Sequence, residues 1–324
     1  MSAINENSTS QIESPKYGEK YRLELANRGQ AIVIQETATS AVISSIAIVG
    51  NFLVLLAVYR NPNLRKTQVL YVSALAVADM SMNVVLGPPA AYGLAMGNED
   101  FGKVPCVIIA ILGCTSGTYT YLIICLMAVQ RYSTMLNTRL HSTLFTRRKV
   151  KISIAITATG TLTFIVITGI LSDVQFHPGF ACCLAHYEKV DKVPVWVMLS
   201  LISIPALISH FCYIRIWRYL RQHREQMAQS AISAAEVKTS RIFLLVINSF
   251  SICLAPFMIV TFIEIFTGTM YTVPRQVYLA TTNLAGFSSC INPIIYAALS
   301  RPFQQEFGKM FVCKRRRNDA VAPV

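Results

Sequence analysis

Charged residues are scarce in this chain. Only 14% of its 324 residues are Asp, Glu, Lys or Arg, whereas a typical soluble domain has about 25%. Hydrophobic residues make up 53%. Because a water-soluble surface needs more charge than this, the deficit argues against an ordinary cytosolic enzyme. Much of the apolar surface must face a medium other than water.

Seven long segments lack charged residues, apart from one aspartate. They are 37–59, 67–98 (interrupted by Asp79), 104–130, 152–172, 193–214, 242–263 and 276–300. Each reaches the roughly 20 residues that a helix needs to cross about 30 Å of hydrocarbon. A helix also satisfies its own backbone polar groups, which lipid cannot do. The sequence therefore predicts an all-α membrane protein with a bundle of seven transmembrane helices.

The basic residues lie mostly between alternate segments. The chain has 29 Lys and Arg against 16 Asp and Glu, a net charge of +13. With the N-terminus outside, the inner side holds 21 bases and 4 acids, and the outer side 8 bases and 10 acids. Basic loops stay cytoplasmic during insertion, which predicts an extracellular N-terminus. Since topology explains the charge, nucleic acid is not an expected partner, whereas anionic membrane lipid is.

This topology divides the chain into four parts. They are an extracellular N-terminal tail (1–36), the seven-helix bundle (37–300), a short amphipathic eighth helix (301–313) and a cytoplasmic tail (314–324). In the eighth helix, Phe303, Phe307 and Phe311 recur every four residues on one face. Asn7 begins a glycosylation sequon on the predicted outer side. Cys313 precedes a basic run, which favours palmitoylation over an unmodified thiol.

The cysteines fall into two groups. Five lie within predicted spans and are interpreted as small packing residues: Cys114, Cys125, Cys212, Cys253 and Cys290. On the outer, oxidising side, Cys106 begins the third span, and Cys182 and Cys183 lie after the fourth. A bridge from Cys106 to one of these two is expected, and the residues alone leave the partner open.

Two other classes of membrane protein fit the sequence poorly. A secondary transporter would show repeats and several charges at membrane depth, but there is no repeat and Asp79 is the one deep carboxylate. A transporter is therefore a remote alternative. A membrane enzyme would need a cluster of catalytic or metal-binding side chains, and the five histidines are scattered. No enzymatic activity is expected.

Six of the seven predicted helices carry motifs whose order resembles that of rhodopsin-class (class A) G-protein-coupled receptors. The motifs are Gly50-Asn51, Leu75-Ala76-Val77-Ala78-Asp79, Cys106, Arg131-Tyr132, Pro205 with Tyr213, Cys253 with Pro256, and Asn292-Pro293-Ile294-Ile295-Tyr296. Each motif is weak, but the ordered set is specific. The resemblance, over 37–313, implies a plasma-membrane receptor that binds an extracellular ligand and activates heterotrimeric G proteins. Arrestin and receptor kinases are further implied partners.

The resemblance also assigns roles to residues. It implies a sodium pocket of oxygen ligands, built from Asp79, Asn51, Thr120, Ser288, Ser289 and Asn292. The alternative is a hydrogen-bonded cluster without an ion, and in both cases Asn51 and Asn292 would pair with Asp79. The implied switch to G-protein coupling comprises Arg131, Gln130, Tyr132, Glu236, Tyr213, Asn292, Pro293 and Tyr296. Alignment with the family prefers Cys183 as the partner of Cys106.

The switch departs from the family pattern at Gln130, where an acid is usual. Arg131 would contact Glu236 in the inactive state and the G protein in the active state; an interfacial, snorkelling arginine is the alternative. Because a neutral amide binds a guanidinium less strongly than a carboxylate does, the sequence predicts basal signalling without ligand. If Gln130 faces lipid, it changes nothing.

The ligand class is approached by exclusion. Gly113 stands where aminergic receptors have Asp, and Gly286 where opsins have Lys, so neither an amine nor retinal is expected, and no other cofactor is. Gly113 and Gly117 leave a helix face without side chains, which indicates either close helix packing or room for a flat apolar ligand. The predicted ligand pocket comprises Gly113, Gly117, Leu254, Met258 and Thr282.

Within the family, Phe176-His177-Pro178 with Cys183, and Ser289-Cys290-Ile291-Asn292, look closest to melatonin receptors and orphan receptors related to them. Leu184, Ala185 and Tyr187 depart from the polar residues that melatonin receptors use there. A small, melatonin-like ligand is expected. A peptide ligand, suggested by the acidic outer face, is the alternative.

Overall fold

The computed structural model describes residues 17–64, 66–97, 102–185, 192–222, 234–267 and 272–311. These ranges contain ten α-helices, a 3-10 turn at Pro62–Leu64 and two β-strands. In chain order the elements are α1 (Tyr17–Ala26), α2 (Gln30–Arg60), α3 (Thr67–Met96), α4 (Lys103–Leu136), α5 (Thr138–Leu144), α6 (Arg147–Leu171), β1 (Val174–His177), β2 (Cys182–Ala185), α7 (Lys192–Gln222), α8 (Ala234–Thr267), α9 (Arg275–Leu299) and α10 (Arg301–Phe311).

Seven of the helices contain the seven charge-poor segments. Six of them, α2, α3, α4, α6, α7 and α8, are long and apolar enough to cross a membrane by length and composition alone. The seventh, α9, has 25 residues and packs against α2 and α8. The predicted all-α bundle of seven helices is therefore confirmed.

Several helices extend beyond the charge-free segments. α2 begins at Gln30, seven residues before the segment that starts at Thr37, and α8 continues past Ile263 to Thr267. The absence of charge marks only the part that lies in hydrocarbon, and charged residues such as Glu and Arg are themselves good helix formers. A further helix, α1, lies within 1–36, where the sequence predicts only a tail.

The two ends of the bundle carry different accessory elements. At one end lie α1 and the antiparallel β1–β2 hairpin, in which His177 pairs with Cys182 and Phe176 with Cys183. We name this the hairpin end. At the opposite end, the α10 end, Phe303 of α10 is buried and its ring stacks on that of Tyr296 in α9, with centroids 5.4 Å apart.

Glycine allows α2 to lie close to its neighbours. A Cβ atom on Gly50 would come within 2.9 Å of Pro293 Cγ in α9. A Cβ atom on Gly87 of α3 would come within 2.5 Å of Ser44 Oγ in α2. A larger residue at either place would force the helices apart, because packed interiors tolerate little added volume.

A disulfide fixes the hairpin to α4. Cys106, in the first turn of α4, is bonded to Cys183 of β2, with the two Cα atoms 5.4 Å apart. This is the pairing that the resemblance implied, and Cys182 is left as a free thiol. The predicted modification sites, Asn7 and Cys313, lie outside the described residues.

Loss of this bridge should prevent the hairpin from holding its place. Cys106→Ala and Cys183→Ala should each abolish surface expression or ligand response, because the bond closes a loop of 77 residues and such a bond stabilises a fold by about 4 kcal/mol. Cys182→Ala is the matched control and should be mild. Mass spectrometry that found Cys106 linked to Cys182 would overturn the assignment.

Candidate functional site

A cavity lies between the helices toward the hairpin end. Its empty volume is about 1270 Å³, counting the space that opens to solvent. All five residues predicted for the ligand pocket line it: Gly113, Gly117, Leu254, Met258 and Thr282. Residues 181–184 of the hairpin line it as well. No charged side chain stands among the described residues that line this cavity, so its chemistry suits an uncharged, mostly apolar molecule.

The two predicted pocket glycines have different surroundings. A Cβ atom on Gly113 would come within 2.6 Å of Leu86 Cδ2 in α3, whereas one on Gly117 would meet nothing within 4 Å. Gly113 therefore serves close packing of α4 against α3, which was one of the two interpretations of this pair. Gly117 leaves open space in the cavity, which was the other.

The cavity has a few polar groups. Ser40 donates a hydrogen bond of 2.9 Å to Asn283 Oδ1, which joins α2 to α9 at the wall. Thr261 of α8 also lines the cavity and is 4% exposed, and its hydroxyl has no hydrogen-bond partner in the described part of the chain. Because a buried hydroxyl without a partner is costly, a hydrogen bond from a ligand to Thr261 would be favourable.

The hairpin and α1 cover the cavity as a roof. The ring of Phe180, at the hairpin tip, is fully buried and lies 5.0 Å from that of Phe257 in α8 and 4.6 Å from that of Tyr278 in α9. Tyr21 of α1 packs edge-on against Tyr278, and its hydroxyl donates to the carbonyl oxygen of Val273. Burial, helped by the charges of Glu24 and Glu264, raises the pKa of the Tyr21 phenol.

A second carboxylate besides Asp79 is buried, at the hairpin end of α8. Glu264, in the last turn of α8, is 0% exposed. Tyr278 donates a hydrogen bond of 2.5 Å to its Oε1, and His177 Nε2 lies 3.8 Å from the same oxygen. Sequence reasoning missed this burial, because Glu264 directly follows a charge-free segment and resembles an ordinary interfacial residue.

Two arginines share one carboxylate at the hairpin end. Arg28, between α1 and α2, and Arg275, in the first turn of α9, both donate to Glu36 of α2. Arg28 also donates to the carbonyl oxygen of Leu94 in α3, at 2.5 Å. Both guanidinium side chains are at most 4% exposed. These contacts join the segment before the first span to the start of the last.

Part of the predicted sodium pocket comes together in the bundle interior. Asp79 is 1% exposed, and its carboxylate accepts hydrogen bonds from Asn292 Nδ2 (2.8 Å) and Ser289 Oγ (3.2 Å). Asn51 corrects the prediction that it pairs with Asp79, because its amide donates to the carbonyl oxygens of Ala47 and Ser289. The NH₂ group of a side-chain amide can donate to backbone carbonyl oxygens as well as to a carboxylate.

The other two predicted pocket residues, Thr120 on α4 and Ser288 on α9, are also buried. The Ser288 hydroxyl donates to the carbonyl oxygen of Ala285 (2.6 Å), and the Thr120 hydroxyl has no hydrogen-bond partner within the described ranges. Oxygen ligands suit a hard cation. Asp79, Ser289 and the unpartnered Thr120 therefore offer donor types that fit sodium, whereas Asn292 directs its NH₂ group at Asp79.

Arg131 is buried inside the α10 end of the bundle. Its side chain is 1% exposed, donates a hydrogen bond to Gln68 Oε1 of α3, and lies 4.8 Å from the ring centroid of Phe243 in α8. It is therefore not a snorkelling interfacial arginine. Sequence reasoning missed Gln68, because a neutral residue at the start of a span carries no signal. With its guanidinium held inside, Arg131 is not accessible to a partner, which is the arrangement expected of an inactive state.

Gln130 is buried as well, at 1% exposed, so the interpretation that it faces lipid is wrong. Its amide nitrogen has no hydrogen-bond partner in the described part. Glu236 lies in the first turn of α8, but its side chain is outside the described part of the structure. Basal signalling without ligand stays a prediction, and we expect Gln130→Asp to lower it and Glu236→Ala to raise it.

Two of the remaining switch residues, Tyr213 and Tyr296, lie in the same buried core as Phe243, the residue beside Arg131. Tyr213 and Tyr296 are each 3% exposed, and neither hydroxyl has a hydrogen-bond partner among the described residues. Pro293 is buried against Gly50, and Tyr132 packs at the edge of the same core. The two tyrosine hydroxyls are thus available for new hydrogen bonds if α8 moves.

A membrane bundle with a ligand-sized cavity toward one end and a sequestered arginine at the other has the plan of a transmembrane receptor. Residues 50–296 match the model of the 7 transmembrane receptor (rhodopsin family). The chain belongs to this family. It is a G-protein-coupled receptor of the plasma membrane that responds to an extracellular ligand, and it is a signalling protein and not an enzyme.

The most similar relatives include melatonin receptors. The chain is 27% identical to melatonin receptor type 1A of Ovis aries over 270 residues, which covers 82% of this chain and 74% of that protein. It is 24% identical to melatonin receptor type 1C of Gallus gallus over 273 residues, 83% and 79% of the two chains. The crystal structure of squid rhodopsin has the same fold, with a TM-score of 0.79 at 19% identity, covering 90% and 88%.

The contact between Arg131 and Gln68 predicts an effect on basal activity. Gln68→Ala removes the acceptor and should raise ligand-independent signalling about fivefold, for a hydrogen bond worth about 1 kcal/mol. Gln68→Glu should lower it below wild type, because a charge-assisted hydrogen bond is roughly twice as strong. A G-protein-dissociation sensor at matched surface expression provides the measurement. Equal basal signals in both variants and wild type would contradict this contact as part of the inactive state.

Proposed function

We propose that the cavity binds a small, uncharged, largely apolar ligand, similar in chemistry to melatonin. The carrying observation is that the predicted pocket residues line one cavity without a charged side chain among its described lining. The likeness to melatonin receptors supports a flat aromatic ligand. Thr261 offers such a ligand one hydrogen bond. A peptide fits less well, because the hairpin and α1 pack over the cavity.

We further propose that the hairpin end faces the extracellular side, with the N-terminus outside. The excess of basic residues in the opposite loops supports this orientation. The Cys106–Cys183 bond supports it too, since disulfides persist in oxidising compartments. Arrestin, receptor kinases and anionic lipid would then meet the basic α10 end.

Gly117 supplies the test of the cavity. Gly117→Ile places a side chain in open space, so the receptor should fold while agonist potency falls about tenfold or more, as overpacking by 1–3 kcal/mol implies. The agonist comes from a screen of melatonin and related uncharged aromatics with a G-protein-dissociation sensor. The matched control is Gly160→Ile, since Gly160 of α6 also has nothing within 4 Å but does not line the cavity.

Two results would argue against the proposed ligand site. One is an unchanged potency in Gly117→Ile at normal surface expression. The other is a screen in which only charged amines or peptides activate the receptor. A potency loss of equal size in Gly160→Ile would show that a bulky side chain lowers potency by disturbing helix packing and not by filling the cavity.

We also propose that sodium binds at Asp79 and favours the inactive state. Agonist affinity should then fall as sodium replaces potassium at constant ionic strength, because an ion that prefers one state shifts the population toward it. Asp79→Asn should remove this dependence and weaken signalling. Agonist affinity that is equally sensitive to sodium in Asp79→Asn would reject the site and leave a hydrogen-bonded cluster without an ion.

A further inference from the structure

A buried titratable cluster lies in the roof, above the cavity. It joins three elements: His177 of β1 (1% exposed), Glu264 of α8 (0%) and Tyr278 of α9 (0%). Glu264 Oε1 lies 3.8 Å from His177 Nε2 and 2.5 Å from the Tyr278 hydroxyl, which donates to it. Thr261 and Thr282, one turn deeper on α8 and α9, line the cavity. The cluster therefore lies directly above the cavity, where the hairpin meets α8 and α9.

The protonation of His177 is coupled to the hairpin tip. The backbone N–H of Phe180 donates a hydrogen bond of 3.1 Å to His177 Nδ1. A ring nitrogen can accept only while it carries no proton, so this bond requires the neutral imidazole. If Nδ1 carried a proton, its N–H would point at the N–H of Phe180. The hydrogen bond would be lost and the hairpin tip released. The same proton would be stabilised by the Glu264 carboxylate near Nε2.

Other titratable groups face His177 from each neighbouring element. They are Glu264 from α8, Tyr278 from α9, Cys182 opposite on β2 and, beyond Tyr278, Tyr21 from α1. Burial raises the pKa of the Cys182 thiol and of the Tyr21 phenol, which takes both further from neutral pH. Histidine is the side chain that ordinarily changes charge between about pH 5 and 8.

The hairpin tip packs on α8 and α9, and α8 contains a proline at which it can bend. Phe180 packs on Phe257, the residue after Pro256 in α8, and on Tyr278 in α9. A proline inside a helix permits a bend at that point. The residues after Phe180, 181–184, line the cavity itself. Release of Phe180 would therefore alter both the cavity roof and the outer half of α8.

We propose that His177 binds a proton from the extracellular side, so that this receptor responds to extracellular pH in addition to its cavity ligand. The proposal goes beyond the proposed ligand and rests only on the extracellular orientation of the hairpin end. The state in which His177 accepts the Phe180 hydrogen bond has one proton fewer on its imidazole than the released state. It is therefore favoured at high pH and lost as pH falls.

The first experiment measures basal G-protein dissociation in cells as extracellular pH is varied from about 8 to 5.5. Wild type should change about threefold or more with one midpoint in this range, since the ratio of two states that differ by one bound proton changes by up to about tenfold per pH unit. His177→Gln keeps an acceptor for the Phe180 amide but cannot be protonated, and should lose the dependence. His186→Gln, the other histidine of the same loop sequence, is the matched control and should retain it.

Glu264→Gln provides an independent arm. Without the carboxylate, the imidazolium is less stabilised, so the midpoint should move to lower pH while the dependence persists. In purified receptor, hydrogen exchange at the Phe180 amide should rise at acid pH in wild type relative to His177→Gln, a comparison in which intrinsic exchange rates cancel. A pH-insensitive wild type, a dependence that survives in His177→Gln, or one that disappears in His186→Gln would each overturn the proposal. Neither outcome bears on the cavity ligand.

Discussion

Hydrocarbon neither donates nor accepts hydrogen bonds, and this constraint determines where each polar group in the bundle can lie. Backbone groups are satisfied by helix formation, and many Ser and Thr hydroxyls donate to carbonyl oxygens one turn earlier, as Thr157 does to Ser153. The stronger polar groups must find partners in the interior. Asp79 does so with Asn292 and Ser289, and Arg131 does so with Gln68. The functional groups are therefore grouped inside, away from lipid.

One helix, α8, contacts the roof, the cavity and the switch arginine. Glu264 of α8 reaches the roof, Leu254 and Met258 line the cavity, and Phe243 lies against the Arg131 guanidinium. The 22 residues from Phe243 to Glu264 span about 30 Å of helix, with Pro256 between them. A bend or rotation of α8 would change both ends of the receptor at once. Coupling between ligand and G protein thus needs no chain of small displacements through several helices.

A structural feature could be predicted when it shows in the composition of the sequence or in a family motif. Missing charge marked the spans, and a run of family motifs marked the Cys106–Cys183 bond and the residues of the cavity. Gln68, a neutral residue, leaves no such mark, and Glu264 was misjudged because it adjoins a charge-free segment. α1 was missed because its apolar contacts, Tyr21 and Leu25, are only two residues in a polar stretch. The partner of Asn51 depended on backbone geometry, which a sequence pattern does not contain.

The shared carboxylate of Glu36 has a practical consequence for protein engineering. Through Arg28 and Arg275 it ties the residues before the first span to the last span, and Tyr21 and Leu25 are buried in the same roof. Fusion partners, epitope tags or protease sites placed within α1, from Tyr17 onward, would therefore disturb the receptor. N-terminal truncations for expression or crystallisation should therefore stop before Tyr17, where α1 begins.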